Sequence, residues 1–170
     1  IRDSICKGQE AGAALDIDNA LREKILPLAT VLTPNLFETE TLSGMENIST
    51  VEELTEAAKR IADSGAKAVL VKGGANLPGD NAVDVLWDGH EATVYSAPKV
   101  GDLRVSGAGD SLAAALTAEL AKGKDLHAAV RAAKDFVTHG IAQLLDAGTP
   151  FGVVWPVSYT HLRAHETRHD

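Results

Sequence analysis

The sequence predicts an α/β fold: a mainly parallel sheet flanked by helices, with one β-hairpin. Three observations predict it. The apolar run Ala68-Val69-Leu70-Val71 follows a segment with helical periodicity, and a strand after a helix of that length is the mark of a βαβ unit. Hydrophobic residues make up 45% of the chain but aromatics only 4%, so Ala, Val and Leu fill the core and allow helices to pack closely on a sheet. Asp88-Gly89 lies between the alternating segments 83–87 and 92–95, a strong short-range hairpin cue.

The elements follow in order. Ile1 to Cys6 reads as the end of a strand, broken by Lys7-Gly8. Leu21, Ile25 and Leu28 recur at helical spacing, and Pro27 ends that helix. Thr30 to Leu32 reads as a short buried strand closed by Pro34. Ser49 or Thr50, with Glu52 or Glu53, forms a capping box that starts a helix whose apolar face is Val51, Leu54, Ala58 and Ile61. Ser64-Gly65 ends it. Ser106 to Gly109 is a Gly-rich turn, followed by an Ala-rich helix over 112–120 that stops at Lys122-Gly123. A last long helix over 126–145 carries Val130, Ala133, Phe136, Val137 and Ile141 along one side.

The 170 residues suffice for one domain of ordinary size. A formal net charge of −8, without a run of Lys and Arg, opposes binding to nucleic acid. It does not oppose a phosphate ligand, because backbone N–H groups hold phosphates without net positive charge. The one cysteine, Cys6, excludes an intramolecular disulfide and a cysteine-based zinc site. No apolar stretch approaches the ~20 residues that span a bilayer, and the start is mixed and polar, unlike a signal peptide. A cytoplasmic compartment is expected, with no membrane partner. The absence of an initiating Met points to a fragment. The stretch 157–170 differs in kind. Its His161, His165 and His169 are spaced by four, as on one face of a metal-binding helix, yet it has no apolar stripe and resembles translated sequencing adapter. It is read as a non-native tail on a catalytic portion spanning 1–156.

Three constellations carry chemistry. Ser106-Gly107-Ala108-Gly109-Asp110-Ser111 stands immediately before the Ala-rich helix. Glycines leave N–H groups uncovered, and at a helix N-terminus those groups face an anion. A transferring phosphoryl group needs such donors, and Asp110 at the same point is placed to take the proton of an attacking hydroxyl. The plainer reading is an ordinary Asp N-cap after a flexible loop. Asn35 and Glu38, in Thr33-Pro34-Asn35-Leu36-Phe37-Glu38, point the same way if a helix starts there. An amide oxygen with a carboxylate suits Mg²⁺, directly or through its waters. The same residues also fit a simple Asn cap. Lys72, with Gly73 and Gly74 at a strand end, can reach a nucleotide phosphate as a point charge while the glycines allow close approach. A solvated Lys before a turn fits equally.

The order Asn-x-x-Glu, then Lys-Gly-Gly, then Gly-Ala-Gly-Asp opening a helix resembles the ribokinase superfamily. More closely, it is similar to the branch of hydroxymethylpyrimidine phosphate kinases and pyridoxal/pyridoxine kinases. Residues 26–38 with Leu42-Ser43-Gly44, residues 69–74, and Ala133 to Val137 carry that similarity, which extends roughly from Asp3 to Trp155. The resemblance implies a ribokinase-like fold of which this is the C-terminal, ATP-binding portion. It implies Asp110 as the base, Gly107, Ala108 and Gly109 as N–H donors to the γ-phosphoryl, Lys72 and Gly73 on the nucleotide side, and Asn35 and Glu38 toward Mg²⁺ and phosphates. ATP and Mg²⁺ are the implied cofactors, and the partner is a small molecule whose ring hydroxymethyl group is phosphorylated. Asp3, Cys6 and Lys7 match the family less well, Ser4 standing where Pro is usual. That branch often has Cys at position 110, whereas Asp there suits sugar kinases and other pyridoxal kinases. A sugar kinase and a non-catalytic nucleotide-binding fragment are the alternatives, an adaptor domain the remotest. The missing part is expected N-terminal to Ile1, and unpaired strand edges would let the chain associate, as a homodimer at its simplest.

Overall fold

The computed structural model describes residues 20–100, 105–144 and 152–155. The expected strand over 1–6, with Asp3, Cys6 and Lys7, and the stretch 157–170 with its three histidines lie outside the described residues. Contacts divide the chain into two compact units, residues 1–96 and 97–170.

In the first unit, the segment 21–28 is not one regular helix. A wide π-type turn over Leu21–Ile25 passes into a 3₁₀ turn over Leu26–Leu28. The change of pitch rotates the buried side: Leu26 is buried, while Ile25 and Leu28 are 50% and 79% exposed. Pro27, which lacks an N–H, fits the first turn of the 3₁₀ segment. The expected strand over 30–32 is an extended segment paired only locally. Leu32 N–H donates to Ala68 O, Leu70 N–H to Leu32 O and Lys72 N–H to Pro34 O, at 2.9, 2.7 and 2.9 Å. This parallel pairing stops where Pro34 offers no N–H and Asn35 turns into a helix.

That helix, α1, spans Leu36–Ser43 and ends on Gly44, whose left-handed φ of 68° suits a glycine. Helix α2, Val51–Asp63, starts with the expected capping box, realised by Thr50 and Glu53. Ser49 N–H also donates to Glu53, and this bond, followed by those from Thr50, holds the Glu53 carboxyl below its ordinary range. Leu54, Ala57, Ala58 and Ile61 are buried along α2.

Strands β1 (Val69–Gly74), β2 (Asn81–Trp87) and β3 (Ala92–Pro98) form a sheet in that order. β1 and β2 are antiparallel, and the turn at Asp88–Glu91 joins β2 to β3 as the expected hairpin. Asp88 Oδ1 closes that turn by accepting from His90 N–H and Glu91 N–H, each at 2.8 Å. Val69, Val71 and Val85 point to α2 and share a core with Leu54, Ile61, Leu26 and Leu77. Leu70 and Leu86, on the opposite face, are buried too.

The second unit begins with β4 (Val105–Ser106), parallel to β5 (Gly152–Val153). Helix α3 spans Ala108–Ala121 and packs on α4, Leu126–Ala142. Leu112 and Leu116 are buried on α3. The buried face of α4 is Ala129, Val130, Ala133, Lys134, Val137 and Gly140. Val130, Ala133 and Val137 lie on it as expected, whereas Phe136 and Ile141 are only half-buried and Ala129, Lys134 and Gly140 join the buried face.

The fold is α/β as expected. Among the described residues, the longest pairings are antiparallel, and parallel pairing is confined to Leu32–Val69, Asn35–Lys72 and β4–β5. No helix among them is long and apolar enough to cross a membrane.

Candidate active site

Two groups of residues, one in each unit, stand at the C-terminal ends of parallel-paired segments. That is where open α/β sheets place ligands.

In the first unit, the chain leaves its pairing with β1 at Pro34 and caps α1 at once. Asn35 Oδ1 accepts from Glu38 N–H, and Glu38 Oε2 accepts from Asn35 N–H, both at 2.9 Å. The plain Asn cap foreseen for this segment is therefore present, and it makes the two side chains share one rigid position. Both are half-buried. Each oxygen in the box keeps a further lone pair. An amide oxygen beside a carboxylate fits a hard cation held mainly by waters and phosphates, as Mg²⁺ prefers. A cage of protein ligands is not what the residues offer: no group of three or more His, Cys, Asp or Glu with metal-binding geometry occurs among the described residues.

Lys72 is joined to this loop through its own N–H and forms the parallel bridge to Asn35. The structure thus brings Asn35, Glu38 and Lys72 to one end of the unit. Between Lys72 and Gly74 the register slips by one residue, a β-bulge. The bulge needs its glycines for different reasons. Gly74 has φ 52°, a left-handed conformation. A Cβ on Gly73 would lie 2.6 Å from Val83 O, 2.8 Å from Leu77 and 2.9 Å from Leu54. The close approach that Gly73 allows is to the protein's own strand and core.

Sequence reasoning missed Asp84. It is buried in the middle of β2, opposite Lys72, and its Oδ1 accepts from Gly74 N–H at 3.1 Å. The available signal was an Asp inside the strand pattern Val83-Asp84-Val85-Leu86, where Asp is a disfavoured residue.

In the second unit, β4 runs through Gly107 directly into α3. Gly107 is the N-cap, with φ 83°, and among the described residues no side chain caps the helix. The first intrahelical bond is Ser111 N–H to Gly107 O at 2.9 Å. The N–H groups of Ala108, Gly109 and Asp110 therefore precede the helical ladder, as the first turn of any helix requires. The first two belong to residues whose own side chains are a methyl group and a hydrogen. Asp110, third in the helix and exposed, brings a carboxylate to the same turn. It does not cap the helix itself, so the plainer reading of Asp110 as an N-cap does not hold.

The parallel-paired strand ends leading into helices put the chain in the class of α/β proteins, and a helix start reached through glycines is one that suits an anionic group. The comparisons with known proteins narrow that class. The chain belongs to the phosphomethylpyrimidine kinase family, which it matches over residues 3–155. It is 41% identical to a pyridoxine kinase of Bacillus subtilis over 162 residues, covering 95% of this chain and 59% of that protein. It is 40% identical to a hydroxymethylpyrimidine/phosphomethylpyrimidine kinase of Synechococcus elongatus, covering 86% of this chain and 57% of the relative. Among solved structures, the ADP complex of Bacillus subtilis pyridoxal kinase superposes with a TM-score of 0.82 at 42% identity, over 86% of this chain and 57% of that one. The pyridoxal kinase of Staphylococcus aureus with AMP-PCP and pyridoxal also gives 0.82, at 36% identity, over 85% of this chain and 54% of that one. The chain thus spans a little over half the length of these relatives.

Proposed function

We propose that this chain carries the ATP-binding, phosphoryl-transferring part of a kinase that phosphorylates a hydroxymethyl group on a small heteroaromatic ring. The observation that carries the reading is the start of α3, where the first N–H groups of the helix and the Asp110 carboxylate share one turn. The names of the relatives, pyridoxine kinase and hydroxymethylpyrimidine/phosphomethylpyrimidine kinase, support a ring alcohol as acceptor. The nucleotides in the related crystal structures, ADP and AMP-PCP, support ATP as donor.

In this reading, Asp110 accepts the proton of the substrate hydroxyl as its oxygen attacks the γ-phosphorus. The N–H groups at Gly107, Ala108 and Gly109 receive the charge that builds on the phosphoryl oxygens, a fixed arrangement needing no reorganisation during the step. Lys72, beside Gly73, meets the nucleotide phosphates as a point charge. Asn35 and Glu38 would hold Mg²⁺, directly or through its waters. When bound, that ion neutralises phosphate charge.

The test is ATP-to-ADP turnover with Mg²⁺ against pyridoxine, pyridoxal, hydroxymethylpyrimidine and ribose, using the chain extended to the length of its relatives. Turnover is expected with a ring alcohol and not with ribose. Asp110→Asn should lower it by about 10²–10⁴-fold, the usual worth of a general base, and leave ATP affinity in place. Folded protein that binds MgATP but turns over none of these would overturn the reading in favour of a nucleotide-binding module.

A further inference from the structure

We propose that Asp84 is a positioning residue for Lys72, holding its ammonium group and the Gly73–Gly74 bulge in the arrangement that meets a nucleotide phosphate. The proposal rests on the reading of Lys72 as a phosphate contact and names what keeps it aimed.

Asp84 is the one carboxylate buried among the described residues, with 4% of its surface exposed. A charge removed from water destabilises the fold unless it is paired and hydrogen-bonded. In β2 a Val or Ile would serve the sheet better. Two features of the position compensate. Gly74 N–H, which the bulge diverts from the regular ladder, donates to Asp84 Oδ1 at 3.1 Å. Lys72 is the residue directly opposite Asp84 in the antiparallel register. Opposed residues share a sheet face with Cβ atoms about 5 Å apart, so the register sets a countercharge against the carboxylate.

One side chain therefore bears on both halves of the strand end. It takes the N–H of the residue that begins the turn, and it faces the cation two residues before. Lys72 is fixed from the other edge of β1 by its N–H bond to Pro34 O, next to the Asn35 cap. A Lys stem has four rotatable bonds, and a phosphate contact is stronger when fewer of them must be ordered on binding. Asp84 supplies that ordering in advance.

Calorimetric affinities for MgATP and for adenosine, with the melting temperature, would be measured on the chain extended to the length of its relatives and on its Lys72→Met, Asp84→Asn and double variants. Asn at 84 keeps an acceptor for Gly74 N–H but removes the charge facing Lys72. The expected result is a loss of MgATP affinity in Asp84→Asn of roughly tenfold, the size of one charge-assisted contact. Adenosine affinity should be unchanged, and the double variant should be no weaker than Lys72→Met alone. Three outcomes overturn the proposal: unchanged or tighter MgATP binding in Asp84→Asn, as removal of a negative charge alone would give; equal weakening for adenosine, the sign of a merely structural role; or additive effects of the two substitutions. If Lys72→Met itself leaves MgATP binding intact, or the parent chain binds no MgATP, the underlying reading of Lys72 fails and this proposal with it. A loss in Lys72→Met that Asp84→Asn does not share removes only the positioning role. Should Asp84→Asn not fold, Asp84→Ser, which also keeps an acceptor, is read by the same criteria.

Discussion

Gly73 shows how little room a single position can have. A methyl group there would meet the backbone carbonyl of Val83, which moves only if β2 moves. Gly73→Ala is expected to destabilise the fold by about 1–3 kcal/mol, the range for overpacking, as read from the urea midpoint. Glu119 is sensitive to pH instead. Lys122, first, and Lys124 hold its carboxyl at about 2, down from an ordinary 4.5. A carboxyl lowered on folding contributes stability above its unfolded value, and that contribution is lost as pH falls through the folded one. The ion pairs should therefore be fully effective above about pH 4.5 and fade toward pH 2. Both lysines are substantially exposed, so the contribution is modest and screened by salt. Urea unfolding between pH 6 and pH 2 should show a shallower acid loss in Glu119→Gln than in the parent chain.

At the scale of elements, the helix starts matter most. α1 and α2 are both closed by capping boxes, α4 by Asp125, and α3 by no side chain among the described residues. The uncapped helix is the one whose first turn is proposed to receive a phosphoryl group, a division of labour that follows from the same orphan N–H groups. Asn35→Ala should cost about 0.5–2 kcal/mol through loss of the α1 cap, whereas Asn35→Asp keeps the acceptor and the stability. If Asn35 also faces phosphates and Mg²⁺, both variants should change MgATP affinity, while a cap alone predicts no change in Asn35→Asp. Denaturant midpoints and calorimetry on the two variants separate these roles.

For the whole molecule, binding to the folded state alone raises its stability by mass action. If this chain holds the nucleotide site, MgATP at about 100 times its dissociation constant adds about 2.7 kcal/mol, or roughly 5–10 °C in melting temperature for a chain of this size. Scanning calorimetry with and without MgATP reads this directly, and the shift should persist in Asp110→Asn, whose role is in the reaction. No shift at saturating nucleotide would show that the chain does not hold the site by itself.

The sequence by itself determined much of the local structure. The cap at Thr50, the Asp88-Gly89 turn, the Ala-rich helix after Gly109 and the family resemblance over 3–155 depend on residues close together in the chain, or on the order of short motifs. Asn35, Glu38, Lys72 and the Gly107–Asp110 turn were legible for the same reason: glycines and caps act through their own backbone. The tertiary structure decided what periodicity could not. It turned the buried side of 21–28 onto Leu26, set Lys134 among the small residues of α4, and paired β1 in parallel with 32–35 on one edge and antiparallel with β2 on the other. It also opposed Asp84 to Lys72. Those outcomes depend on which strand lies beside which, and on the register between them. A one-residue shift in that register would have carried Asp84 to the other face of the sheet.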